Sequence, residues 1–399
     1  MPKAARIAET SPHASTRIVA ERIAAAGEIS RAELARVAGL SKQTVSDAVR
    51  DLERQGWLRA SGQSRGALGR SATTYRIRNE AAFVFACDLG GTKLHIALAD
   101  FTGAVVAEML EPTDQRSGKH LLSQIRSMTG KLARKARLAR DRVRLAVVGI
   151  AGVVDPRSGR LAFGPNVPAF GSANVIDGMR RAFGCDVVIE NDVNLAVLGE
   201  YWRGRGQGVA NLAFIALGTG IGMGLLANGA LVRGAHGAAA EIGYLPIAGD
   251  PFEPRNVAEG AFESVVGTDG ILQRYRAAGG GAVTGARDIL EALNGGDKIA
   301  RKVIDDTARW TAIGIAAVAA LLDPELVVLG GGIGTRPELI SRIEAHLARC
   351  LLRPVPVVPS PLENRATLLG AVATGLDQIY AQAFGAHFLK SHATISEAA

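Results

Sequence analysis

The chain has 399 residues, of which 48% are apolar and 48 are glycine, so it can bury more than one hydrophobic core and we expect two or three domains. Its three cysteines, Cys87, Cys185 and Cys350, lie far apart, which argues against a disulfide framework and a cysteine-rich metal cluster. With no signal-peptide pattern and no apolar run long enough to span a bilayer, we expect a cytoplasmic protein with no membrane partner.

The net charge of +8 is concentrated at the N-terminal end, where residues 1–80 hold 14 Lys and Arg against 8 Asp and Glu. The six arginines from Arg54 to Arg78 have no acidic residue among them. Such a stretch attracts phosphates, although a solvated basic surface would show the same charge run.

Three helices are predicted before residue 56. The first is capped by Ser15 or Thr16, and the second begins at the capping box Ser30–Glu33. Ser41 caps the third helix, Lys42 to Gln55. The tight turn between the last two helices predicts a helix-turn-helix.

Two short strands, Trp57–Arg59 and Thr74–Ile77, are predicted around the loop Ser61–Ser71 and add a basic wing. In such a domain the second helix of the motif enters the major groove, while wing arginines reach phosphates or the minor groove. A winged helix that docks proteins or dimerises is the alternative, and Trp57 is expected to pack in the core. The predicted DNA-contacting residues are Arg31, Ser41, Lys42, Gln43, Thr44, Ser46, Arg50, Arg65 and Arg70.

A glycine-turned strand pattern begins after this domain. Three strands are predicted between Phe83 and Leu110, with Gly90-Gly91 at the first turn. A similar hairpin at 211–227 contains Gly218-Thr-Gly220, so we expect a duplicated core. Each glycine turn offers backbone amides to phosphate oxygens, although a plain tight hairpin would use the same glycines.

A strand-to-helix corner is predicted where the apolar strand Val187–Ile189 leads into Glu190–Glu200. At such a corner Asn191 and Asp192 are placed to bind vicinal hydroxyls, or to accept a proton from one. The alternative is that one of them only caps the helix.

Taken together, the motifs closely resemble the ROK family of sugar kinases and sugar-responsive repressors, in its longer branch that carries a winged helix. The resemblance spans roughly residues 12 to 385. It rests on Asp88–Lys93, Gly149–Asp155 with Gly164–Pro168, Glu190–Glu200, Leu217–Gly222, Glu241–Tyr244 and Val328–Ile333.

The resemblance implies two domains. Residues 1–80 would form an α+β winged helix-turn-helix, and residues 81–399 an α/β domain of actin-like, ribonuclease H-like sugar kinase fold. The latter would have two lobes, about 81–190 with the C-terminal helix and about 191–365, with sugar bound in the cleft between them.

The resemblance also implies site residues. The sugar-binding residues would be Gly152, Asn166, Asn191, Asp192, Glu241, Tyr244 and Glu263, with Asp192 the catalytic base in a kinase. In a kinase, ATP phosphates and magnesium would meet Asp88, Gly90, Gly91, Thr92, Gly218 and Thr219.

One departure from the family pattern concerns zinc. The family's His and three Cys ligands fall, counted without gaps, on Tyr244, Pro254, Asn256 and Ala261. We therefore expect no zinc. Because a structural zinc contributes roughly 10 kcal/mol or more of apparent binding energy, the loop must be held together in another way. The loop would instead be stiffened by its prolines Pro246, Pro251 and Pro254, and packed by Tyr244 and Phe252.

Two classes of function follow from these features. The first is a sugar-responsive regulator, a repressor in our expectation, that binds a two-fold DNA operator as a homodimer or homotetramer. A monosaccharide or sugar derivative would be its effector, and no cofactor would be required. The second is an ATP-dependent sugar kinase with an appended DNA-binding domain, which would use ATP and magnesium. The lost zinc ligands and the winged helix favour the regulator.

Overall fold

The computed structural model describes residues 14–65, 71–154, 161–163 and 175–389. The chain divides into two compact units. The first contains the described residues up to Asp192 together with those from Leu368 onward, and the second runs from Val193 to Thr367.

The first unit begins with a winged helix-turn-helix. Its elements are α1 (Ala14–Ala26), β1 (Ile29–Ser30), α2 (Arg31–Ala38), α3 (Lys42–Arg54), β2 (Leu58–Arg65) and β3 (Ser71–Ile77), with β3 paired antiparallel to both other strands. The helices share a fully buried apolar core of Val19, Ile23, Leu34, Val45, Val49 and Leu52. Burying each such side chain contributes about 1.5–3 kcal/mol, so the packing of the three helices holds this small domain together.

Two predicted helix caps differ from the structure. Ser15 and Thr16 lie inside the first turn of α1, so neither precedes that helix. At α2 the Ser30 hydroxyl accepts from the Glu33 amide at 3.3 Å, as predicted, but the Glu33 carboxylate accepts from Arg36 at 3.2 Å. An exposed guanidinium one turn along the helix therefore engages the carboxylate that a full capping box would use.

A five-stranded sheet follows in the first unit, in the order β10-β7-β4-β5-β6. Its elements are β4 (Phe83–Leu89), β5 (Lys93–Asp100), β6 (Val105–Pro112), α4 (Gly118–Lys135), β7 (Val143–Ile150), the small pair β8 (Val153–Val154) and β9 (Leu161–Phe163), α5 (Val175–Phe183) and β10 (Asp186–Asn191). α4 and α5 cover one face. The C-terminal helix covers the other, where a Cβ on Gly375 would lie 2.5 Å from Val84.

The second unit repeats this arrangement in the order β13-β12-β11-β14-β15. Its elements are α6 (Asp192–Arg203), β11 (Leu212–Leu217), β12 (Ile221–Ala227), β13 (Ala230–Leu231), α7 (Pro254–Glu259), α8 (Glu263–Val266), α9 (Thr268–Ala277), α10 (Ala286–Asn294), α11 (Lys298–Leu322), β14 (Leu326–Gly330), α12 (Gly331–Gly334), α13 (Pro337–Cys350) and β15 (Val357–Pro359), followed by α14 (Ala366–Phe384), which leads back into the first unit.

Both sheets consist of an antiparallel meander of three strands extended by two parallel strands on the side of the first strand. The prediction of a duplicated core is thus confirmed. Across the described residues, no helix is both long and apolar enough to cross a membrane.

An aromatic cluster fastens the winged helix to the rest of the first unit. The Trp57 ring lies 5.1 Å from Phe101, in the turn after β5, and 5.4 Å from Phe384, at the end of α14. Tyr380 packs on both of these phenylalanines, at 4.8 and 5.2 Å. Trp57 is buried, which confirms its predicted core role, and the winged helix contacts α14 directly.

Candidate functional sites

The helix predicted to enter DNA has one buried and one accessible face. Val45, Ala48, Val49 and Leu52 of α3 are buried, whereas Lys42, Gln43 and Arg50 are exposed and Thr44 and Ser46 are half-buried. The Ser41 hydroxyl accepts from the Thr44 amide at 3.1 Å, so the predicted N-cap is present. The cap fixes the first turn of α3, where the polar side chains predicted to read bases begin.

Asp47, which is not among the predicted DNA-contacting residues, organises two of these side chains. Its carboxylate accepts from the Gln43 amide at 3.0 Å and from Arg50 at 3.1 Å. The i,i+4 and i,i+3 spacings were visible in the sequence as a signal. Gln43 and Arg50 are therefore aligned along one side of α3 before any partner arrives.

The remaining predicted DNA contacts differ in their surroundings. Arg31 lies 3.5 Å from the Glu53 carboxylate and stacks 4.7 Å above the Tyr75 ring, so its guanidinium links elements within the domain. This setting favours a structural role for Arg31. Arg65 ends β2, but its side chain lies outside the described residues, as does Arg70.

Two carboxyl groups of the first unit lie at the carboxyl ends of parallel strands. Asp88 lies near the end of β4, and Asp192 begins α6 directly after β10. Both strands pair in parallel with β7, so their ends meet at the same edge of the sheet. Burial and, to a smaller extent, the negative charge of Asp192 together raise the pKa of Asp88 to about 7. Near neutral pH this edge can offer both a proton donor and an acceptor to a hydroxyl group.

Asn191 completes the corner beside Asp192. It is the last residue of β10, and its side-chain amide donates to the Gly152 carbonyl at 3.4 Å. Gly152 has φ 122°, a left-handed conformation that favours glycine. Three predicted sugar-binding residues thus meet in one place, whereas Asn166 lies outside the described residues.

The turn Gly90–Thr92 connects β4 to β5. The Gly90 amide donates to the Lys93 carbonyl at 3.0 Å, which closes the turn. Thr113 braces it from the end of β6, because its hydroxyl donates to the Gly90 carbonyl at 2.8 Å and its amide to the Thr92 carbonyl at 3.0 Å. No local signal pointed to Thr113, which lies 23 residues from Gly90.

In the second unit, Glu263 lies against the turn Gly218–Gly220. Its carboxylate accepts from the Ile221 amide at 3.0 Å, and any Cβ on Gly220 would collide with it. Burial raises the pKa of the Glu263 carboxyl. Thr268 holds the other end of the turn, since its hydroxyl donates to the Gly218 carbonyl at 2.7 Å. The predicted phosphate turn and a predicted sugar-binding glutamate are therefore neighbours.

Tyr244 lies close to both predicted glutamates of this unit. It ends the 3-10 turn Ile242–Tyr244 that follows the exposed Glu241. Burial raises the pKa of Tyr244, and the charges of Glu241 and Glu263 raise it further. A phenol next to two carboxylates can donate to, or stack on, a hydroxylated ligand.

The residues at the family's zinc positions do not fit zinc. Tyr244, Pro254, Asn256 and Ala261 supply no thiolate, imidazole or carboxylate, the donors that hold this ion. Throughout the part of the chain that the structure describes, no group of three or more His, Cys, Asp or Glu side chains could hold a metal. The prediction that Phe252 packs this loop was wrong, because the residue is 87% exposed. The adjoining turn, hydrogen-bonded through Asp250, directs its side chain outward.

A winged helix followed by two sheets of actin-like connectivity, each with carboxyl groups near its glycine turns, defines the class of DNA-binding proteins built on a sugar kinase fold. Residues 84–377 match the ROK family, and the chain belongs to that family. Residues 14–66 match the MarR family. The family and both fold classes inferred from the sequence are confirmed.

Known proteins similar to this chain include both regulators and kinases. It is 26% identical to the xylose repressor of Caldicellulosiruptor bescii, over 86% of this chain and 91% of that protein. It is 28% identical to a glucokinase of Halalkalibacterium halodurans, over 71% of this chain and 89% of that enzyme. A crystal structure of a ROK family transcriptional regulator, a homolog of the E. coli MLC protein, matches with a TM-score of 0.75 at 24% identity, over 95% and 98% of the two chains.

Proposed function

We propose that this protein is a sugar-responsive transcriptional repressor of the cytoplasm. In this proposal a homo-oligomer binds a two-fold operator through its winged helices, and a monosaccharide or sugar derivative is the effector. The observation that carries the proposal is the capped α3, whose accessible Gln43 and Arg50 are pre-aligned by Asp47. The similarity to a xylose repressor over 86% of the chain supports it, because that match extends beyond the ROK part.

We propose that residues in each of the two units bind hydroxyls of the effector. Asn191 and Asp192 would bind sugar hydroxyls in the first unit, and Glu241 and Glu263 would do so in the second. Carboxylates and amides suit this task because they accept and donate hydrogen bonds in the paired geometry of vicinal hydroxyls. No zinc and no other cofactor is required in this proposal.

The regulatory mechanism would be ordinary linkage. A sugar that prefers one arrangement of the protein shifts the population toward it, and a few kcal/mol of differential affinity changes operator occupancy by orders of magnitude. We propose that sugar releases the protein from DNA. The contact of Trp57 with α14 supplies a physical connection between the DNA-binding domain and the rest of the first unit.

Removing the Arg50 guanidinium tests the DNA-binding proposal. We expect Arg50→Ala to weaken binding to a fragment from upstream of the gene by about tenfold, and to lower the salt slope by about 1 if the lost contact is to a phosphate. Arg180→Ala is the matched control, since Arg180 is also an exposed helical arginine with an i,i+3 aspartate, at 3.4 Å, but lies on α5. Gel-shift titrations at several salt concentrations measure both. Equal affinities of the wild type and the Arg50 variant would contradict the proposal.

The alternative is an ATP-dependent sugar kinase with an appended DNA-binding domain. One observation favours it: Asp192 stands at the strand-to-helix corner, close enough to Asp88 to perturb its pKa. Here Asp192 would be the base, and the turns at Gly90–Thr92 and Gly218–Thr219 would meet ATP and magnesium. Phosphorylation of any member of a sugar panel, lost on Asp192→Asn, would establish this activity. Thermal shifts with the same panel would identify the sugar that binds.

A further inference from the structure

The segment from Gly243 to Phe262 holds itself together through hydrogen bonds where the family pattern has a zinc ion. Its two ends are joined directly, because the Phe262 amide donates to the Gly243 carbonyl at 3.0 Å. Gly260 permits this closure, since it has φ 93° and any Cβ there would collide with the Gly243 carbonyl. The segment leaves the second unit's core and returns to it within a short distance.

Asn256 is the buried centre of the segment. It lies in α7 with 7% of its surface exposed, and its side-chain amide donates to the Asp250 carbonyl at 2.7 Å. Gly249 makes room for it, because a Cβ there would lie 3.0 Å from the Asn256 amide nitrogen. A buried amide that loses its partner, or a carbonyl that loses the amide, costs the full desolvation of the group left behind. This single side chain therefore fixes the turn at Asp250 against α7.

Tyr244 connects the start of the segment to the end of α7. Its hydroxyl donates to the Ala258 carbonyl at 3.2 Å, and Ala258 lies in the last turn of that helix. The last carbonyls of a helix have no partner within it, so the tyrosine satisfies a group that would otherwise need water.

Pro254 and Ala261 stand at the other two positions of the family's zinc pattern. Neither has a side chain that could bind a metal, and both have structural roles. Pro254 is the first residue of α7, where its missing amide proton costs nothing. Ala261 is buried next to Phe262, which packs so closely on Gly314 that a Cβ there would lie 2.6 Å from the ring. A thiol at position 261 would have to fit into this packed region.

We propose that Asn256 and Tyr244 replace zinc as the closure of residues 243–262. These hydrogen bonds keep Glu241 and Glu263, which flank the segment, in place without any metal. It holds equally for a repressor and for a kinase, so it does not rest on the proposed function. The protein is accordingly insensitive to chelators at a site where its relatives' pattern places a metal.

The test uses the full chain, purified without added metal. Elemental analysis is expected to find far less than one zinc per chain, and dialysis against EDTA or 1,10-phenanthroline is expected to leave the thermal midpoint unchanged. Hydrogen exchange followed by mass spectrometry then reports on peptides covering 243–262. We expect Asn256→Ala and Tyr244→Phe each to speed exchange there at least about tenfold, the factor that corresponds to about 1.4 kcal/mol of lost local stability.

Val257→Ala is the matched control, because Val257 lies on the same helix but is 62% exposed. It is expected to exchange like the wild type. Tyr244→Phe keeps the ring and removes only the hydroxyl. If Asn256→Ala fails to fold, exchange in Tyr244→Phe therefore still tests whether these hydrogen bonds close residues 243–262. One bound zinc per chain whose removal speeds exchange in this segment would overturn the proposal. So would a Tyr244→Phe variant that exchanges no faster than the control.

Discussion

At the scale of single residues, Asp88 is a carboxyl group whose surroundings disfavour its ionised form. It lies on a central strand of the first sheet, half-buried, and Asp192 adds a like charge nearby. Both effects disfavour the ionised form, which places the pKa near 7 instead of the ordinary value near 4. A carboxyl that titrates near neutrality makes the stability of the first unit depend on pH.

The sign of that dependence follows from proton binding. Between pH 4 and pH 7 the folded state keeps the Asp88 proton whereas the unfolded state loses it, so the free energy of unfolding falls as pH rises through this window. We expect Asp88→Asn to remove a pH-dependent loss on the order of 2 kcal/mol between pH 5 and pH 8. Urea unfolding at both pH values measures it. Asp186→Asn, at an 84% exposed side chain, is the control and should keep the wild-type slope.

At the scale of elements, aromatic packing holds the winged helix against the rest of the first unit. The aromatic cluster around Trp57 joins three elements that lie far apart in sequence: the winged helix, the turn after β5 and α14. Aromatic pairs at these separations add about 0.5–1.5 kcal/mol beyond the burial of their area. The position of the winged helix on the first unit therefore depends on this cluster.

Truncating Trp57 tests that dependence. We expect Trp57→Ala to lower the free energy of unfolding by about 3–5 kcal/mol, because it leaves a large cavity between the winged helix and α14. Trp57→Phe retains most of the ring contacts and should cost less. Chemical denaturation gives both values, and hydrogen exchange of residues 14–65 shows whether the domain loosens. Unchanged exchange in the alanine variant would mean that other contacts hold the winged helix in place.

A second element-scale prediction concerns α6 and β12. A Cβ on Gly224 would collide with the Val193 carbonyl and lie 3.0 Å from Val197, so α6 packs directly on the strand backbone. We expect Gly224→Ala to cost at least about 1–3 kcal/mol, since backbone must move. Gly281→Ala is the control, because nothing lies within 4 Å of a Cβ there. Thermal unfolding compares them, and equal midpoints would contradict the packing account.

At the scale of the whole molecule, the proposed oligomer would impose a spacing on its operator. Two winged helices held in one assembly reach half-sites that lie on the same side of the DNA. Inserting 5 base pairs between the half-sites rotates one half-site by about half a helical turn, to the opposite side of the DNA. Inserting 10 base pairs returns it to about the original side. We expect the first insertion to weaken binding at least about tenfold and the second to weaken it less. Affinity that is indifferent to spacing would indicate independent binding by single chains.

The local features of this fold were available from the sequence. The Ser41 cap, the Asp192 corner and the glycine turns depend on residues a few positions apart, and apolar runs beside these turns located β4, β5, β6, β10, β11 and β12. The burial of Trp57 and the duplicated core, inferred from the two glycine-turned hairpins, were also predicted correctly. The family motifs, with the winged helix before them, carried the assignment to the ROK family.

Contacts between distant residues were decided only by the tertiary structure. The sequence carries no sign that Asp192 would raise the pKa of Asp88, that Glu263 would lie on Gly220, or that Arg31 would be engaged within its own domain. It showed that the zinc ligands are absent, but not that Asn256 is buried while Phe252 is exposed. Propensities and caps act over one or two helical turns, whereas burial and charge coupling depend on which segments the folded chain brings together.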